Sequence, residues 1–132
     1  MAKSLVQEKS FAFALHVIEV YKKLQGDREF VLSRQLLHSG TSIGANIEEA
    51  LAAQSRKAFL SKMSVASKEA RETRYWLMLL EQSHLAAVDL RPPLKEVDEI
   101  IRMLTSIVKT TGEHLSPTQN SKPKTQNWPI AS

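Results

Sequence analysis

The feature that most constrains this chain is an apolar stripe along residues 55–84. Its members recur at alternating steps of four and three residues: Phe59, Met63, Ala66, Ala70, Thr73, Leu77 and Leu80. This spacing keeps them on one side of an α-helix and predicts one long helix with a packing seam. A second row beside the seam consists of Ala58, Val65, Trp76 and Leu79. We therefore expect this helix to pack against neighbours on more than one side, inside a bundle or between a bundle and another subunit.

The same periodicity predicts three further helices, over residues 4–25, 30–51 and 92–112. Gly26 and Asp27 are expected to stop the first helix, Ser55 to cap the long helix and Gly112 to close the last. The predicted seams consist of Val6, Phe13, Val17, Val20 and Leu24, then Leu36, Gly40, Ile43, Ile47 and Leu51, and finally Leu94, Val97, Ile101, Leu104 and Val108 with Ile100 and Ile107 flanking. The predicted fold is an all-α, antiparallel, up-down four-helix bundle.

Two glycines, Gly40 and Gly44, lie inside the predicted second helix and stand four residues apart. Each costs about 1 kcal/mol relative to alanine in a helix interior, so each needs a structural reason. We favour a close approach of a neighbouring helix at these positions. A local helix bend is the alternative.

The length of 132 residues fits one domain with an adequate core. We expect the bundle to span residues 1–115. Residues 116–132 are rich in Pro, Ser, Thr, Asn, Gln and Lys, and this composition predicts a disordered tail. Trp128 is the exception within it, interpreted either as a docking anchor for a partner or as part of an unstructured tail end.

Composition excludes several classes of protein. The chain has no cysteine, which rules out disulfides, cysteine-based zinc sites and thiol catalysis. No apolar run approaches the roughly 20 residues that a membrane span needs, and the first ten residues lack a signal-peptide core. These observations predict a protein without membrane association in the cytoplasm.

Helical bundles can hold a di-metal carboxylate site, which needs a Glu-x-x-His pair on each of two helices. This chain has one such pair, Glu81 and His84, and its other histidines are scattered among different segments. The P-loop, dinucleotide and nucleophile-elbow motifs are missing from the sequence. We therefore predict no enzymatic activity, no catalytic residues, no metal and no cofactor.

A polar row accompanies the two central helices and consists of Ser42, Asn46, Glu49, Glu69, Glu72 and Trp76. The first three share one face of the second helix, next to apolar Ile43 and Ile47, so partial burial is expected. A buried carboxylate needs a donor, and Arg71, Arg74 or an arginine of another subunit would supply it. This row is interpreted as fixing helix register or a subunit interface, with a ligand-binding role as the alternative.

The formal net charge is +4, and the pI of about 9.5 favours acidic partners. The third helix is the main source of this charge, and its candidate nucleic-acid contacts are Lys57, Lys62, Lys68, Arg71 and Arg74. Lys57, Lys68, Arg71 and Tyr75 fall close to one exposed line, a pattern typical of RNA or DNA binding. A solvated helix face with pairs such as Lys68 and Glu72 is the alternative.

Two segments carry a resemblance to a known family. SGTSIGANIEEA, residues 39–50, and AQSRKAFLSKMSVASKEARETRYWLMLL, residues 53–80, resemble the four-helix-bundle family named after the protein encoded in intervening sequences of bacterial 23S ribosomal RNA genes. The most specific piece is KEARETRYWL, residues 68–77. The resemblance extends more loosely over residues 11–108.

The resemblance implies an antiparallel four-helix bundle that assembles into a homopentamer and has no established enzymatic activity. More distantly, the chain resembles the accessory proteins of diversity-generating retroelements, which are pentamers that bind a reverse transcriptase and its RNA. Self-association, RNA or DNA, and a reverse transcriptase are therefore the expected partners. A protein-only assembly scaffold is the alternative function.

Overall fold

A computed structural model describes residues 4–119 of the chain, and the side chains of residues 4–114. These residues form four helices and no strand: α1 (Leu5–Gly26), α2 (Val31–Leu51), α3 (Arg56–Ser83) and α4 (Arg91–Gln119). Each helix packs against its neighbours in sequence, and α1 also packs against α4, which closes the bundle. The predicted all-α, antiparallel, up-down four-helix bundle is confirmed.

The helix starts follow local capping chemistry. Ser4 caps α1 by accepting a hydrogen bond from the Gln7 N–H at 3.4 Å, and Ser55 caps α3 by accepting one from the Ala58 N–H at 3.0 Å. The Glu29 carboxylate performs this role for α2, where it accepts hydrogen bonds from the backbone N–H groups of Val31 and Leu32 at 2.8 Å. Each cap pairs a backbone donor that the first turn would otherwise leave without a partner.

The helix ends depend less on glycine than the sequence predicts. α1 includes Gly26 and has Asp27 as its C-terminal cap, and the left-handed backbone conformation falls on Arg28, at φ 65°. His84 takes the same conformation after α3, at φ 56°.

The prediction that Gly112 closes the fourth helix is wrong, because α4 continues to Gln119. Glycine weakens a helix interior by about 1 kcal/mol but keeps its backbone N–H, so it does not break the hydrogen-bond ladder. The first residues of the predicted disordered tail, 116–119, are therefore helical. The rest of the tail, including Trp128, lies outside the described residues.

The core runs along the bundle axis and contains side chains from all four helices. Its fully buried large members are Val6, Phe13, Val17, Leu24, Leu36, Ile43, Ile47, Met63, Leu77, Leu80, Ile100 and Leu104. Two predicted seam positions are displaced by one residue in the structure. Ala50 is buried whereas Leu51 is 43% exposed, and Ile100 is more deeply buried than Ile101. A helical seam advances by three or four residues at each step, and the rotation of the helix in the bundle decides between them.

The close approach predicted at the paired glycines is found between α1 and α2. A Cβ atom at Gly40 would lie 2.9 Å from both methyl carbons of Val17, closer than real Cβ atoms come to other atoms. At Gly44 the nearest atoms to such a Cβ are Ser10 Oγ at 3.5 Å and the Ser10 carbonyl oxygen at 3.7 Å, which are ordinary contacts. Gly40 is therefore required by packing, whereas alanine would fit at Gly44.

The interface of α2 and α3 contains a buried hydroxyl pair. Thr73 Oγ1 lies 2.9 Å from Ser39 Oγ and 2.7 Å from the Glu69 carbonyl oxygen of its own helix. Both hydroxyl-bearing residues are fully buried. Because each buried polar atom has a partner, the pair fixes the register of the two helices without the cost of an unpaired group.

The second apolar row of α3 is only partly covered by the rest of the chain. Val65 remains 38% exposed and Leu79 37% exposed, whereas Trp76 is half-buried. On α1, Phe11 is 64% exposed and Leu15 also faces solvent. No helix within residues 4–119 is long and apolar enough to span a membrane.

Candidate nucleic-acid interface

The outer face of α3 carries two exposed lysines, Lys57 and Lys68. They are eleven residues apart, which corresponds to about 16 Å along a helix. Neither forms an ion pair with any side chain among residues 4–114. Tyr75 lies on the same face with an exposed ring that packs edge-on against Trp76 at 5.2 Å between ring centres.

Lys62 lies on a different side of α3. Its Nζ atom is 2.7 Å from Glu49 Oε1 of α2, and both side chains remain substantially exposed. This ion pair neutralises Lys62 locally and links α2 to α3. Of the five predicted contacts, Lys62 is thus the one that the fold separates from the others.

Arg71 and Arg74 turn toward α4. Arg71 Nη2 donates a hydrogen bond to Thr105 Oγ1 at 3.1 Å, and Arg74 Nε donates one to Asp98 Oδ1 at 2.8 Å. Both arginines are exposed on their outer side. Their guanidinium groups are therefore held by α4 while remaining accessible to solvent.

These contacts border a cleft between α3 and α4, which we call the arginine cleft. It has a volume of about 330 Å³ and is lined by Arg71, Arg74, Asp98, Ile101 and Arg102. Three guanidinium groups and one carboxylate leave an excess of two positive charges (3 − 1 = 2). Such a concentration of positive charge favours anionic ligands.

Arg102 is not among the sequence-predicted candidates, because those all come from α3. The signal that identifies it is the spacing of Asp98, Arg102 and Thr105 at i, i+4 and i+7. These positions share one face of a helix. Only the packing of α4 beside α3 shows that this face meets the arginines of α3.

The predicted polar row does not form one connected network. Ser42 Oγ donates to the His38 carbonyl oxygen at 2.6 Å, and Asn46 Nδ2 donates to the Ser42 carbonyl oxygen at 2.8 Å, so both bond within α2. Both residues are half-buried, as expected, whereas Glu49 is exposed.

The two carboxylates of α3 in this row differ from each other. Glu72 is exposed and accepts a hydrogen bond from Trp76 Nε1 at 3.2 Å. Glu69 Oε1 is buried and has no hydrogen-bond partner among the described residues. The expected donors within the chain, Arg71 and Arg74, contact α4 instead, so the prediction that they pair with these carboxylates is wrong.

Two of the four histidines, His16 and His114, contact side chains of other helices. His16 Nδ1 lies 2.6 Å from Glu96 Oε1, which joins α1 to α4, and His114 Nδ1 lies 3.3 Å from Arg56 Nη1. Within the described part of the chain, no group of three or more His, Asp or Glu side chains is arranged to hold a metal ion.

A second cavity, of about 370 Å³, lies at the end of the bundle where α2 connects to α3. Its lining includes Arg56, Phe59 and Thr111. It carries one charged side chain, whereas the arginine cleft carries four. The arginine cleft is therefore the more strongly charged of the two.

Among the side chains that the structure describes, one carboxyl group has a clearly shifted pKa, and it lies outside both cavities. Asp89 precedes α4, and the hydrogen bond that Arg91 donates to it lowers its pKa from 3.8 to about 2. Asp89 Oδ1 also accepts a hydrogen bond from the Arg91 backbone N–H at 3.1 Å. This pair organises the start of α4.

Comparisons with known proteins agree with the fold. The chain is similar to a solved structure described as a protein with unknown function from the S23 ribosomal protein family of Bacteroides thetaiotaomicron VPI-5482. The two share 45% sequence identity over 80% of this chain and 99% of the other, with a TM-score of 0.76. No curated protein matches the chain.

A family model described as 23S rRNA-intervening sequence protein matches residues 2–106. This match covers all of α1, α2 and α3 and the first half of α4. It includes both sequence segments on which the resemblance rests. The chain therefore belongs to the family of 23S rRNA-intervening sequence proteins.

Proposed function

We propose that this protein is a non-enzymatic, homo-oligomeric helical bundle that binds structured RNA or DNA through a basic surface, as an accessory factor. The observation that carries this proposal is the continuity of charge across α3 and α4. Lys57 and Lys68 are exposed without ion pairs among the described side chains, and Arg71 extends the same face into the arginine cleft. Phosphate backbones are bound mainly by such clusters of lysine and arginine.

The proposed self-association is supported by apolar side chains that one chain leaves uncovered. Phe11 and Leu15 on α1 and Val65 and Leu79 on α3 are all exposed in the single chain. Burial stabilises by about 25 cal/mol for each Å² of apolar surface removed from water. A second copy of the chain that covers these residues would therefore form a stabilising interface. A pentamer is the assembly that the family resemblance implies.

Assembly would also strengthen nucleic-acid binding. A ring repeats the basic surface of each subunit, so several weak phosphate contacts act on one strand at a high effective concentration. The basic surface of a single subunit has few unpaired lysines and binds weakly alone, but several such surfaces in a ring can bind one strand tightly. The family description, which refers to 23S rRNA, supports RNA as the first nucleic acid to test.

A reverse transcriptase is the protein partner proposed for this accessory role. Its support is the more distant resemblance to the accessory proteins of diversity-generating retroelements. In this role the basic surface would hold structured RNA and the assembly would present it to the polymerase. Co-elution of the purified protein with a retroelement reverse transcriptase, in the presence and absence of RNA, tests this part separately.

A protein-only scaffold is the second candidate function. The 64% exposure of Phe11 favours it, because a large apolar side chain on an outer helix face is typical of protein interfaces rather than of phosphate contacts. In that case the lysines of α3 serve solubility and carry no ligand.

A binding titration with a structured RNA at low and high salt distinguishes the two functions. We expect the wild-type protein to bind at low salt and to weaken steeply between about 50 and 200 mM salt. The triple variant Lys57→Ala, Lys68→Ala, Arg71→Ala should lose about two to three units of the slope of log K against log salt, because each phosphate contact contributes about 0.9.

The matched control removes the same charge from another part of the surface. Lys22, Lys23 and Arg34 are exposed residues of α1 and α2, and their replacement by alanine should change the slope by much less. Failure of the wild-type protein to bind at low salt would exclude nucleic-acid binding. Light scattering tests the assembly, and a monomer at all concentrations would contradict it.

A further inference from the structure

We propose that the arginine cleft is a phosphate-binding subsite, in which Arg71 and Arg102 hold the phosphate oxygens and Arg74 supplies charge from a fixed position. This inference rests on the proposed function and identifies where one phosphate of the nucleic acid would be bound. It adds Arg102 and α4 to a surface that the sequence assigns to α3 alone.

The donors in the cleft are numerous and mostly unused. A guanidinium group has five N–H donors and no acceptor. Arg74 uses Nε for Asp98, Arg71 uses Nη2 for Thr105, and Arg102 has no hydrogen bond to a side chain among residues 4–114. Most of the fifteen or so N–H donors (3 × 5) therefore remain available to a ligand.

The existing contacts position two of the three arginines before a ligand arrives. The 2.8 Å hydrogen bond to Asp98 holds Arg74, and the 3.1 Å hydrogen bond to Thr105 holds Arg71 against α4. A side chain that is already ordered loses less conformational entropy on binding, so each contact it makes contributes more to affinity. Ile101 adds one apolar side chain to the lining beside these groups.

The charge and shape of the cleft fit phosphate better than carboxylate. The excess of two positive charges would remain unbalanced by a single carboxylate, and three guanidinium groups reach the site from two helices. A carboxylate is planar and has two oxygens, which one arginine fork can satisfy. A phosphate group presents oxygens in several directions and can accept paired hydrogen bonds from more than one arginine.

The cleft also lies in line with the other basic residues of α3. Lys68 precedes Arg71 by three residues and Tyr75 follows it by four, so all three occupy neighbouring positions on one helix face. Tyr75 has an exposed ring on which a base can stack. A strand whose phosphate occupies the cleft could thus continue along α3 toward Lys68 or place a base near Tyr75.

The test compares Arg102→Ala with the control Arg34→Ala, which removes an exposed arginine of α2 outside the cleft. Affinity for a structured RNA stem-loop is measured by fluorescence anisotropy at two salt concentrations, and affinity for pyrophosphate by NMR titration of the arginine side-chain N–H signals. We expect Arg102→Ala to weaken RNA binding about tenfold and to reduce the salt slope by about 1, whereas Arg34→Ala changes little.

Two further variants separate a phosphate clamp from general charge and from damage to the fold. Arg102→Lys keeps the charge but loses the planar fork, so it should recover less than half of the lost affinity on a logarithmic scale. Asp98→Asn removes the negative charge of the cleft, so it should tighten RNA binding about threefold at low salt and steepen the salt slope. A variant that merely damaged the fold would not bind more tightly.

The outcomes distinguish failure of the subsite from failure of the proposed function. If Arg102→Ala binds RNA as well as Arg34→Ala does, the subsite is overturned while the proposed function stands. Full recovery of RNA affinity by Arg102→Lys would have the same consequence. Pyrophosphate binding that depends on Arg102, without any RNA binding, would support the phosphate site and overturn nucleic-acid binding. Polyglutamate that competes as well as pyrophosphate would show an acidic-peptide site and overturn the phosphate assignment.

Discussion

The two flanks of α3 are built on opposite principles. On the flank facing α2, small residues allow close packing, and the buried Ser39–Thr73 hydroxyl pair joins the helices. On the flank facing α4, long charged side chains border the arginine cleft, which remains open to solvent. One helix can thus contribute both to the packed interior of the bundle and to its candidate ligand site. The long charged side chain on the α2 flank, Lys62, forms an exposed ion pair with Glu49, whereas those on the α4 flank line an open cleft.

The energetics of the two flanks should differ accordingly. Buried apolar groups contribute to stability because they leave water, and buried hydroxyl groups are tolerated because they are hydrogen-bonded. Exposed ion pairs contribute only about 0–1 kcal/mol. Substitutions in the packed interior should therefore affect folding, and substitutions in the arginine cleft should affect binding.

Leu77→Ala should give the largest loss of stability. Leu77 is fully buried in the core, so its truncation should lower the free energy of unfolding by about 2–5 kcal/mol through lost apolar burial and a cavity. Leu79→Ala is the matched control on the same helix, since Leu79 is 37% exposed in the single chain. Chemical denaturation of both variants measures the difference. An equal loss for Leu79→Ala at low protein concentration would show that the packed interior extends to that side of α3.

The two glycines of α2 should respond to alanine with opposite signs. Gly40→Ala should destabilise by about 1 kcal/mol, because overpacking against Val17 at 2.9 Å exceeds the gain in helix propensity. Gly44→Ala should stabilise by about 0.5–1 kcal/mol, since the nearest atom to the new Cβ is 3.5 Å away. Thermal unfolding of the two single variants provides the measurement. Stabilisation by both substitutions would mean that α1 and α2 can move apart at no cost.

Thr73→Val should destabilise by about 1 kcal/mol. The substitution preserves the shape of the side chain but removes the oxygen that lies 2.9 Å from Ser39 Oγ. The Ser39 hydroxyl then keeps only its long 3.5 Å hydrogen bond to the Leu36 carbonyl oxygen. The double variant Ser39→Ala, Thr73→Val should recover part of this loss, because it leaves no buried hydroxyl unpaired. The free energies of unfolding of Ser39→Ala, Thr73→Val and the double variant, measured by urea denaturation, complete a double-mutant cycle. Additive losses would show that the two hydroxyls act independently.

Asp98→Ala should change stability by less than about 1 kcal/mol. Asp98 and Arg74 are both nearly half exposed, so solvent screens their 2.8 Å ion pair. Denaturation at low and high salt should show a small effect at low salt that decreases as salt rises. A loss of several kcal/mol would show that the arginine cleft stabilises the bundle as much as the packed flank of α3 does.

Asp89→Asn should give the smallest effect, and the effect should depend on pH. The pKa of Asp89 is lowered from 3.8 to about 2 by the hydrogen bond from Arg91, so the ionised form is favoured in the folded state. Its contribution to stability is present above pH 3.8 and is lost as the pH falls through about 2. The wild-type advantage over Asp89→Asn in thermal unfolding should follow that course. An advantage that persists unchanged at pH 2 would exclude the ionic contribution of this pair.

Much of the fold follows from spacing alone. Alternating steps of four and three residues predict the buried seam of α3, and six of its seven members are fully buried in the structure. Ser55 is identifiable as a helix cap because its hydroxyl precedes the periodic segment, and Gly40 is identifiable because a helix interior tolerates glycine only at a cost. In contrast, the end of α4 is missed, since Gly112 resembles a stop signal but occupies ordinary helical backbone.

Helical periodicity is a local property of the chain, so four helices, most of the core-facing residues and the basic character of α3 follow from the spacing and charge of the residues. Only the tertiary structure decided which charges act together. It paired Lys62 with Glu49, turned Arg71 and Arg74 away from the carboxylates of their own helix, and brought Arg102 from α4 to the same cleft. The physical reason is that an ionic group interacts with whatever lies within a few ångströms, and helix packing brings together residues that are distant in sequence.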